Sequence, residues 1–479
     1  MTIASLEFLG FTIAVALVYW LVRPLRWRQS VLLAANLGFL ATFATTAMSM
    51  VPLAGFLAAG YICLNACQRG VRRGTFVSIL VAMTVLFFWL KHYSFLPEAS
   101  FLPFSYSVIG LSYIFFRVMH VIIDAYGGDL PDMITPVAFL NYVLNFTSLV
   151  SGPIQRYPDY AATQLCAVRP SLTLPKAAIA CERIIIGLFK VVVLSAILHT
   201  LHLQALADFA AATTTGGHIA AALGVTVGYT FYLYCNFSGY TDIVIGAAAF
   251  YGLVLPENFN HPFTSTSFIE FWSRWHITLS DWLRTYIYNP LTMALMQRFP
   301  SPRATPFLGV IAFFVTFFLI GLWHGQTSEF AVFGVVLGLG VSVNKLYQVE
   351  MAVWLGRKQY RTLANRPIYR ALARGLTFTW FAFGLTFFWG NWAEIGQLAR
   401  GLGLIGIVTA FMSLTVIATI VLAAALALRD ACLAVRVFGA PVLMSRYSRT
   451  VWCTAAGAIA VAALVLLASP APDIVYKAF

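Results

Sequence analysis

Long, uninterrupted runs of apolar residues constrain this chain more than any other feature. Crossing the hydrocarbon core of a bilayer takes about 20 apolar residues, and roughly a dozen segments approach that length. The chain is 60% hydrophobic and only 10% charged, and its mean hydropathy of +0.83 lies outside the range of soluble globular proteins. The clearest runs are 5–22, 31–46, 51–67, 75–90, 184–203, 219–234, 306–323, 330–343, 376–389, 402–428 and 451–468.

Within a bilayer, every backbone N–H and C=O group needs a hydrogen-bond partner in the protein. An apolar run of about 20 residues meets this need by forming an α-helix. We therefore predict an all-α integral membrane protein. No long polar insert separates the apolar runs, so residues 1–479 are interpreted as one polytopic membrane domain.

Basic residues predict the orientation of the helices. Arg23, Arg26 and Arg28 follow the first run, the reverse of a secretory signal. An uncleaved first helix with its N-terminus outside, in the plasma (inner) membrane, is expected from the positive-inside rule. The net charge of +13 then reflects topology and attraction to anionic lipid rather than nucleic-acid binding. With a re-entrant element in the middle of the chain, later basic clusters fall on the same side: Arg69, Arg72 and Arg73; Arg357, Lys358, Arg361, Arg366, Arg370 and Arg374; Arg429, Arg436, Arg446 and Arg449.

Metal and nucleotide sites are not predicted. Of the seven cysteines, Cys63 and Cys67 are nearest in sequence, but their spacing is not that of a CxxC motif. His199 and His202 share a helix, and two residues are weak support for a metal site. Phosphate-binding, zinc-protease and serine-hydrolase motifs are missing, so we expect no metal and no bound cofactor.

Polar residues interrupt the apolar pattern in the middle of the chain. Residues 151–153 break a run that begins near Val137, and Asn236 and Asp242 stand in an apolar surrounding, shortly before the polar turn 256–260. Irregular backbone at membrane depth is tolerated only where protein buries it or water reaches it. Each interruption is therefore either a capped helix break or part of a cavity wall. Because they cluster before His276, we favour a shared cavity.

Residues 271–286 have the periodicity of an amphipathic helix, too charged to span the bilayer and better suited to the cytoplasmic interface. His276 lies at the border of the two faces, and His324 ends the apolar run 306–323, approaching from the opposite side. We predict that a tunnel joins these two imidazoles. The apolar stripe comprises Trp272, Trp275, Leu279, Trp282, Leu283 and Tyr286, and the polar stripe Arg274, Thr278, Asp281 and Thr285.

An ordered set of short motifs resembles one family, the membrane-bound O-acyltransferases, and within it the bacterial branch with alginate O-acetylase and the D-alanyl-transfer protein of teichoic-acid modification. Any one motif is weak, but their order over about residues 110–344 is specific. The motifs are Gly110-Leu111-Ser112-Tyr113 with Phe116-Arg117, Ser151-Gly152-Pro153-Ile154 with Arg156, Asn236-Phe237-Ser238-Gly239-Tyr240 with Asp242, Pro256-Glu257-Asn258-Phe259, Phe271-Trp272 with Arg274-Trp275-His276 and Leu279-Ser280, and Trp323-His324-Gly325.

The resemblance implies helices ringing a thin centre, with funnels entering from both faces. It also implies that His324 is the catalytic histidine and that His276 belongs to the same tunnel. The chain departs from the family at Asn236, where an aspartate is common, and at Thr292-Met293, which replaces a glycine pair of alginate-type members. Residues expected to support the site or line the tunnel are Trp323, Asn258, Glu257, Arg274, Arg156, Asp242 and Ser280.

The expected reaction is transfer of an acyl group, acetyl or D-alanyl-like, from a cytoplasmic thioester to a hydroxyl outside. Acyl-CoA or an acyl-carrier protein would be the donor. A cell-envelope polysaccharide or glycopolymer would be the acceptor, reached directly or through a second extracytoplasmic acyltransferase. A neutral His324 would act as general base, with donors such as the Trp323 indole or the Asn258 amide for the oxyanion.

Several alternatives stay open at this point. Intramembrane Asp242, Glu257 and the histidines would also suit a transporter or flippase, and a non-catalytic subunit of an envelope polysaccharide system fits the same composition. Arg156 and Arg274 either contact the donor or carrier, or pair with nearby carboxylates. His276 is either catalytic or structural.

Overall fold

A computed structural model describes residues 1–94, 96–104, 106, 109–130, 133–166, 171–301, 304–437, 440–441 and 445–466. Within these residues the chain is almost entirely helical, and two-residue strands β1 (Arg436–Val437) and β2 (Ala440–Pro441) pair antiparallel. The helices are α1 Leu6–Leu21, α2 Leu25–Ala41, α3 Val51–Gln68, α4 Arg73–Leu90, α5 Leu111–Gly127, α6 Pro136–Val143, α7 Tyr157–Gln164, α8 Leu174–Leu188, α9 Ala196–Ala211, α10 Thr215–Ala249, α11 Phe268–Trp272, α12 Ile277–Leu283, α13 Asn289–Arg298, α14 Thr305–His324, α15 Ser328–Trp354, α16 Arg357–Ala364, α17 Pro367–Gly384, α18 Thr386–Trp389, α19 Trp392–Ala434 and α20 Arg446–Leu466.

Short helices of other types join these elements. Turns of 3₁₀-helix lie at Met48–Met50, Glu98–Ser100 and Pro262–Thr264, and π-helical segments lie at Phe189–Ser195 and Arg284–Tyr288. The first π-helical segment connects α8 to α9 without a break, so that together they form one continuous helical stretch, Leu174–Ala211.

Nine helical segments of the described chain are long and apolar enough to cross a membrane. The prediction of an all-α, multi-pass membrane protein is therefore confirmed. Of the last predicted run, residues 467 and 468 lie outside the described residues. The nine segments are Met48–Gln68, Arg73–Leu90, Leu174–Ala211, Thr215–Ala249, Thr305–His324, Ser328–Trp354, Pro367–Trp389, Trp392–Ala434 and Arg446–Val465.

The described chain divides into two compact units, and the interpretation of residues 1–479 as a single domain stays a prediction. Unit 1 comprises Met1–Val193, Asn236–Pro256 and Ile459–Phe479, and unit 2 comprises Leu194–Cys235 and Glu257–Ala458. The predicted family-like core, residues 110–344, contributes to both.

In unit 1 the chain between α6 and α7 is irregular, as the motif at residues 151–153 predicts. Arg117, 1% exposed, holds this segment from α5. Its Nη1 donates to the carbonyl of Val143 at 2.9 Å, and its Nη2 donates to the carbonyl and hydroxyl oxygens of Ser148, both at 2.7 Å. A buried guanidinium thus supplies the hydrogen bonds that the interrupted helix lacks.

The polar residues of α10 do not break it. Asn236 and Asp242 lie inside one continuous helix, so the interpretation of a helix break at this point is wrong. In unit 1, Asp242 is paired with two cations, because its Oδ1 accepts from Arg183 at 3.0 Å and its Oδ2 from Lys190 at 2.7 Å. A carboxylate neutralised in this way needs no local change of backbone.

Unit 2 is built around the antiparallel hairpin of α14 and α15. A Cβ on Gly321 would overlap the backbone of Gly334, and a Cβ on Gly334 would lie 2.6 Å from the carbonyl oxygen of Phe318. Small residues let two membrane helices approach closely enough for dispersion contacts between backbones. This approach fixes the end of α14, where His324 lies.

Candidate active site around Trp323

His324 is the last residue of α14 and lies inside an aromatic shell. Only 3% of it is exposed. Its ring centroid lies 4.8 Å from that of Trp323, 5.3 Å from Phe388 and 5.8 Å from Phe333. These rings belong to α14, α15 and α18, so three helices of unit 2 set the position of the imidazole.

His276 contacts the same indole. Its ring centroid lies 6.4 Å from that of Trp323, with the rings inclined at 64°, and the residue is 1% exposed. The indole of Trp323 therefore contacts both imidazoles. The sequence separates them by more than forty residues, and the structure brings them to one side chain.

A backbone crossing, rather than a helix, holds His276. The residue has φ 45° and ψ 52°, in the left-handed region that non-glycine residues rarely adopt. Phe259 and Trp275 form an isolated antiparallel bridge. On either side of it, Asn260 N donates to the Arg274 carbonyl at 2.9 Å and Ile277 N donates to the Asn258 carbonyl at 3.0 Å.

The prediction of one amphipathic helix over residues 271–286 is therefore wrong. Helix α11 ends at Trp272, α12 begins at Ile277, and His276 lies in the break between them. The apolar stripe is still largely buried, because Trp272, Trp275 and Leu279 face the core of unit 2. Periodicity cannot reveal the break, since the bridge depends on the distant Phe259.

The side chain of Asn258 locks the residues that follow His276. Its Oδ1 accepts from Thr278 N at 3.2 Å and from the Thr278 hydroxyl at 2.7 Å. The residue is fully buried, and its Nδ2 has no hydrogen-bond partner among the described residues. A buried, unsatisfied donor is costly, and beside a candidate catalytic histidine it is a candidate for contacting substrate.

Burial also sets the protonation state of His276. The surrounding protein disfavours the imidazolium form and lowers the pKa of His276 to about 3. The ring is consequently neutral near pH 7, and a neutral imidazole is able to accept a proton or a hydrogen bond.

Comparison with known proteins identifies the family. Residues 129–388 match the family model described as "MBOAT, membrane-bound O-acyltransferase family". The chain belongs to this family. The resemblance drawn from the short motifs is thereby confirmed, and both histidines, Trp323 and Asn258 lie inside the matched region.

Three curated relatives illustrate the match. The chain is 35% identical to the probable alginate O-acetylase of Azotobacter vinelandii over 246 residues, 51% of this chain and 46% of the relative. It is 27% identical to the teichoic acid D-alanyltransferase of Bacillus subtilis over 281 residues, 58% of this chain and 69% of the relative. It is 32% identical to the peptidoglycan O-acetyltransferase of Helicobacter pylori over 212 residues, 44% and 38% of the two chains. The chain spans about half the length of the alginate relatives it matches.

Other predicted site residues of this family member lie nearby but are already engaged. Arg274 pairs with Glu270 at 2.8 Å and donates to the Thr264 hydroxyl at 3.1 Å. The Ser280 hydroxyl donates weakly to the Trp275 carbonyl at 3.4 Å. Glu257 is exposed. Arg274 and Ser280 support the segment around His276.

Asp242 and Arg156 belong to unit 1. Asp242 forms the paired cluster with Arg183 and Lys190, and Arg156 is exposed at the start of α7. Among the described residues no group of three or more histidine, cysteine or acidic side chains is placed to hold a metal ion. Whether a tunnel joins the two histidines to both membrane faces stays a prediction.

Sequence reasoning did not single out Phe333 or Phe388, and it placed Thr278 only on a polar stripe, with no role at the site. The two phenylalanines form the wall behind His324, and Thr278 fixes Asn258. Apolar residues of membrane helices carry no chemical signal that separates a site wall from ordinary packing. Thr278 follows His276 by two residues, but only the fold shows that Asn258 binds it.

Proposed function

We propose that this chain is an O-acyltransferase that moves an acyl group, acetyl or D-alanyl-like, from a cytoplasmic thioester to a hydroxyl of an extracytoplasmic polysaccharide or glycopolymer. His324 is the general base. The relatives named above act, by their names, on alginate, teichoic acid and peptidoglycan, which supports a polymer of the cell envelope as acceptor.

The observation that carries this proposal is the meeting of His276 and His324 at the Trp323 indole. Two buried imidazoles are expensive to keep in a membrane protein and mark a functional site. Their aromatic surroundings exclude water, which would otherwise compete with the acceptor for the thioester.

In the proposed step, the acceptor hydroxyl loses its proton to the His324 imidazole as its oxygen attacks the thioester carbonyl carbon. The carbon–oxygen bond forms, the carbon–sulfur bond breaks, and the imidazolium returns the proton to the leaving thiolate. General base catalysis of this kind contributes about 10²–10⁴-fold. The thioester is already activated, so alignment of the two reagents supplies much of the remaining acceleration.

The Asn258 amide is well suited to stabilise the oxyanion. Its Nδ2 is buried without a partner among the described residues, while its Oδ1 is fixed by Thr278. A donor held rigidly before the charge develops is the arrangement that such catalysis requires. The Trp323 indole N–H is a second candidate donor.

The proposed topology brings the donor from the cytoplasm and the acceptor from outside, with the N-terminus extracytoplasmic in the plasma membrane. Acyl-CoA and an acyl-carrier protein are the two donor classes. Because both imidazoles are at most 3% exposed, each reagent needs a path that opens to Trp323 from its own side.

The test is acyl transfer by a His324→Ala variant. The ester content of surface polymer is measured by mass spectrometry in cells that express the wild type, the variant or neither, and protein in the membrane is quantified in parallel. We expect ester to be lost in the variant at unchanged protein level. His199→Ala, a histidine of a membrane helix in unit 2, is the control and is expected to retain ester.

Normal ester content with His324→Ala would reject the catalytic role. Unchanged ester in the deletion strain, together with altered uptake or lipid movement, would favour the transporter or flippase instead. Ester lost in the deletion strain but retained in His324→Ala would favour a non-catalytic subunit.

A further inference from the structure

A third histidine of unit 2, His202, is buried like the two in the candidate active site, and a hydrogen bond fixes its ring. The Nδ1 of His202, in α9, lies 3.0 Å from the carbonyl oxygen of Val225 in α10. A carbonyl only accepts, so Nδ1 carries a proton, and in the neutral form of the ring Nε2 is then the acceptor. Close approach at Gly228, where a Cβ would lie 3.3 Å from the Cα and Cβ of His202, allows this contact.

Aromatic side chains with polar tips surround this imidazole. The ring centroid of His202 lies 4.9 Å from that of Trp389 and 5.2 Å from that of Tyr229. His202 is 4% exposed and Tyr229 is 6% exposed, whereas Trp389 is partly exposed. Within the described residues, none of the His202 Nε2, the Tyr229 hydroxyl and the Trp389 indole N–H makes a hydrogen bond. The three residues are called the His202 cage below.

The His202 cage lies at the same end of unit 2 as His324. Trp389 is the last residue of α18, and the preceding residue, Phe388, packs on the His324 ring. The start of α19, shortly after Trp389, is hydrogen-bonded to the start of α15, shortly after His324. Trp392 N donates to the Glu329 carboxylate at 3.0 Å and Trp392 Nε1 donates to the Ser328 hydroxyl at 2.7 Å.

The chemistry of the His202 cage matches a carbohydrate. The C–H faces of a sugar ring are apolar and pack on aromatic rings, while its hydroxyls both donate and accept. The aromatic side chains of the His202 cage carry three such polar groups. The His202 Nε2 accepts, the Trp389 indole N–H donates, and the Tyr229 hydroxyl does both. Ligand sites typically combine a mainly aromatic lining with a few convergent polar groups.

We propose that the His202 cage is a subsite for the acceptor, binding hydroxyls of a sugar unit next to the one that reacts at His324. This inference rests on the proposed function, since it assumes a carbohydrate acceptor. His202 is a positioning residue here and takes no part in proton transfer to the thioester.

The kinetic test uses the purified full-length protein in lipid nanodiscs, with the rate of acyl transfer measured against acceptor concentration. His202→Ala removes one hydrogen bond to the acceptor. Such a bond contributes about tenfold to affinity, so the KM for acceptor should rise about 10-fold. The kcat and the donor KM should change less than about twofold. Tyr229→Phe keeps the ring and loses the hydroxyl, and Trp389→Phe keeps an aromatic side chain and loses the N–H; each should raise the acceptor KM by a smaller factor. The control is His199→Ala, on the same helix.

An unchanged acceptor KM in His202→Ala, or a fall in kcat alone, would overturn the inference. A parallel measurement separates this failure from failure of the proposed function. Binding of glycerol and of the neutral tetrasaccharide chitotetraose is followed by saturation-transfer NMR in the His324→Ala background, where no turnover is needed. We expect chitotetraose to show transfer that His202→Ala abolishes. Equal signal with and without His202, or no signal from either probe, would reject a sugar subsite even if acyl transfer itself is established.

Discussion

The charged residues of unit 1 and the imidazoles of unit 2 are opposite solutions to burying polar groups in a membrane protein. In unit 1, Asp242 is matched by two cations, and Arg117 is satisfied by three acceptor contacts. In unit 2, His276 and His324 lie among aromatic rings. Paired charges of this kind hold structure, and the proposed chemistry belongs to the imidazoles, of which His276 is kept neutral by burial.

This comparison refines a general expectation. An ionisable residue at membrane depth is a functional hypothesis by default, and that rule taken alone does not rank Asp242 against His324. The structure shows what holds Asp242, which is paired with two cations. A carboxylate already neutralised by Arg183 and Lys190 has little capacity left for a substrate or a travelling proton, which also weakens the transporter reading.

The largest expected effect lies in unit 1. Arg117→Met would leave the carbonyls of Val143 and Ser148 buried without their donor, and we expect a loss of about 3–5 kcal/mol in the free energy of unfolding. Arg26→Met, an exposed arginine of the same unit, should change stability by less than about 0.5 kcal/mol. Thermal unfolding in detergent measures both. An Arg117→Met protein of normal stability but without transfer activity would contradict the comparison, because Arg117 would then serve activity and not the stability of unit 1.

The next effect lies in unit 2 and concerns rate rather than stability. Asn258→Asp keeps the oxygen that accepts from Thr278 and removes the Nδ2 donor. If that donor binds the oxyanion, transfer should slow about 10²–10³-fold, or roughly 3–4 kcal/mol in the barrier. Asn260→Asp, two residues away and exposed, is the matched control. A wild-type rate in Asn258→Asp would reduce Asn258 to a structural clamp for the His276 loop.

A smaller effect is expected at the ion cluster of α10. Asp242→Asn leaves Arg183 and Lys190 facing each other without their carboxylate, and because all three are partly exposed we expect a loss of about 1–2 kcal/mol in stability. Transfer per folded molecule should stay within about threefold. Adding Lys190→Met should restore part of the stability, which a double-mutant cycle detects. Complete loss of function in a stable Asp242→Asn protein would favour the transporter alternative.

Much of the fold could be predicted from the sequence, because apolar runs of membrane length have one main solution in lipid. The interruption at residues 151–153 could also be predicted, since glycine and proline act locally. The break at His276 could not, because it depends on pairing between Phe259 and Trp275, which is set by the fold. Likewise, nothing local distinguishes Asn236 and Asp242 in a continuous α10 from the same residues at a break. The partners of Asp242 come from α8 and the π-helical segment that follows it.

The last prediction concerns the pH dependence of stability and sharpens the claim that burial keeps His276 of unit 2 neutral. Burial lowers the pKa of His276 to about 3, while an unfolded histidine titrates near 6.5. Between these values the unfolded chain binds more protons than the folded one. Stability is therefore complete above about pH 6.5 and falls by up to about 1.4 kcal/mol per unit as the pH drops towards 3.

His276→Asn should remove this dependence, since asparagine tolerates the left-handed conformation and does not titrate. The measurement is the unfolding midpoint in detergent between about pH 7.5 and 4.5, where the variant should show a shallower decline than the wild type. His261→Asn provides the control, because His261 has the same left-handed backbone, with φ 46°, but is exposed, so its replacement should leave the slope unchanged. Equal slopes for the wild type and His276→Asn would mean that the ring is charged or solvated when folded, and the contrast between the two units would then fail at its central residue.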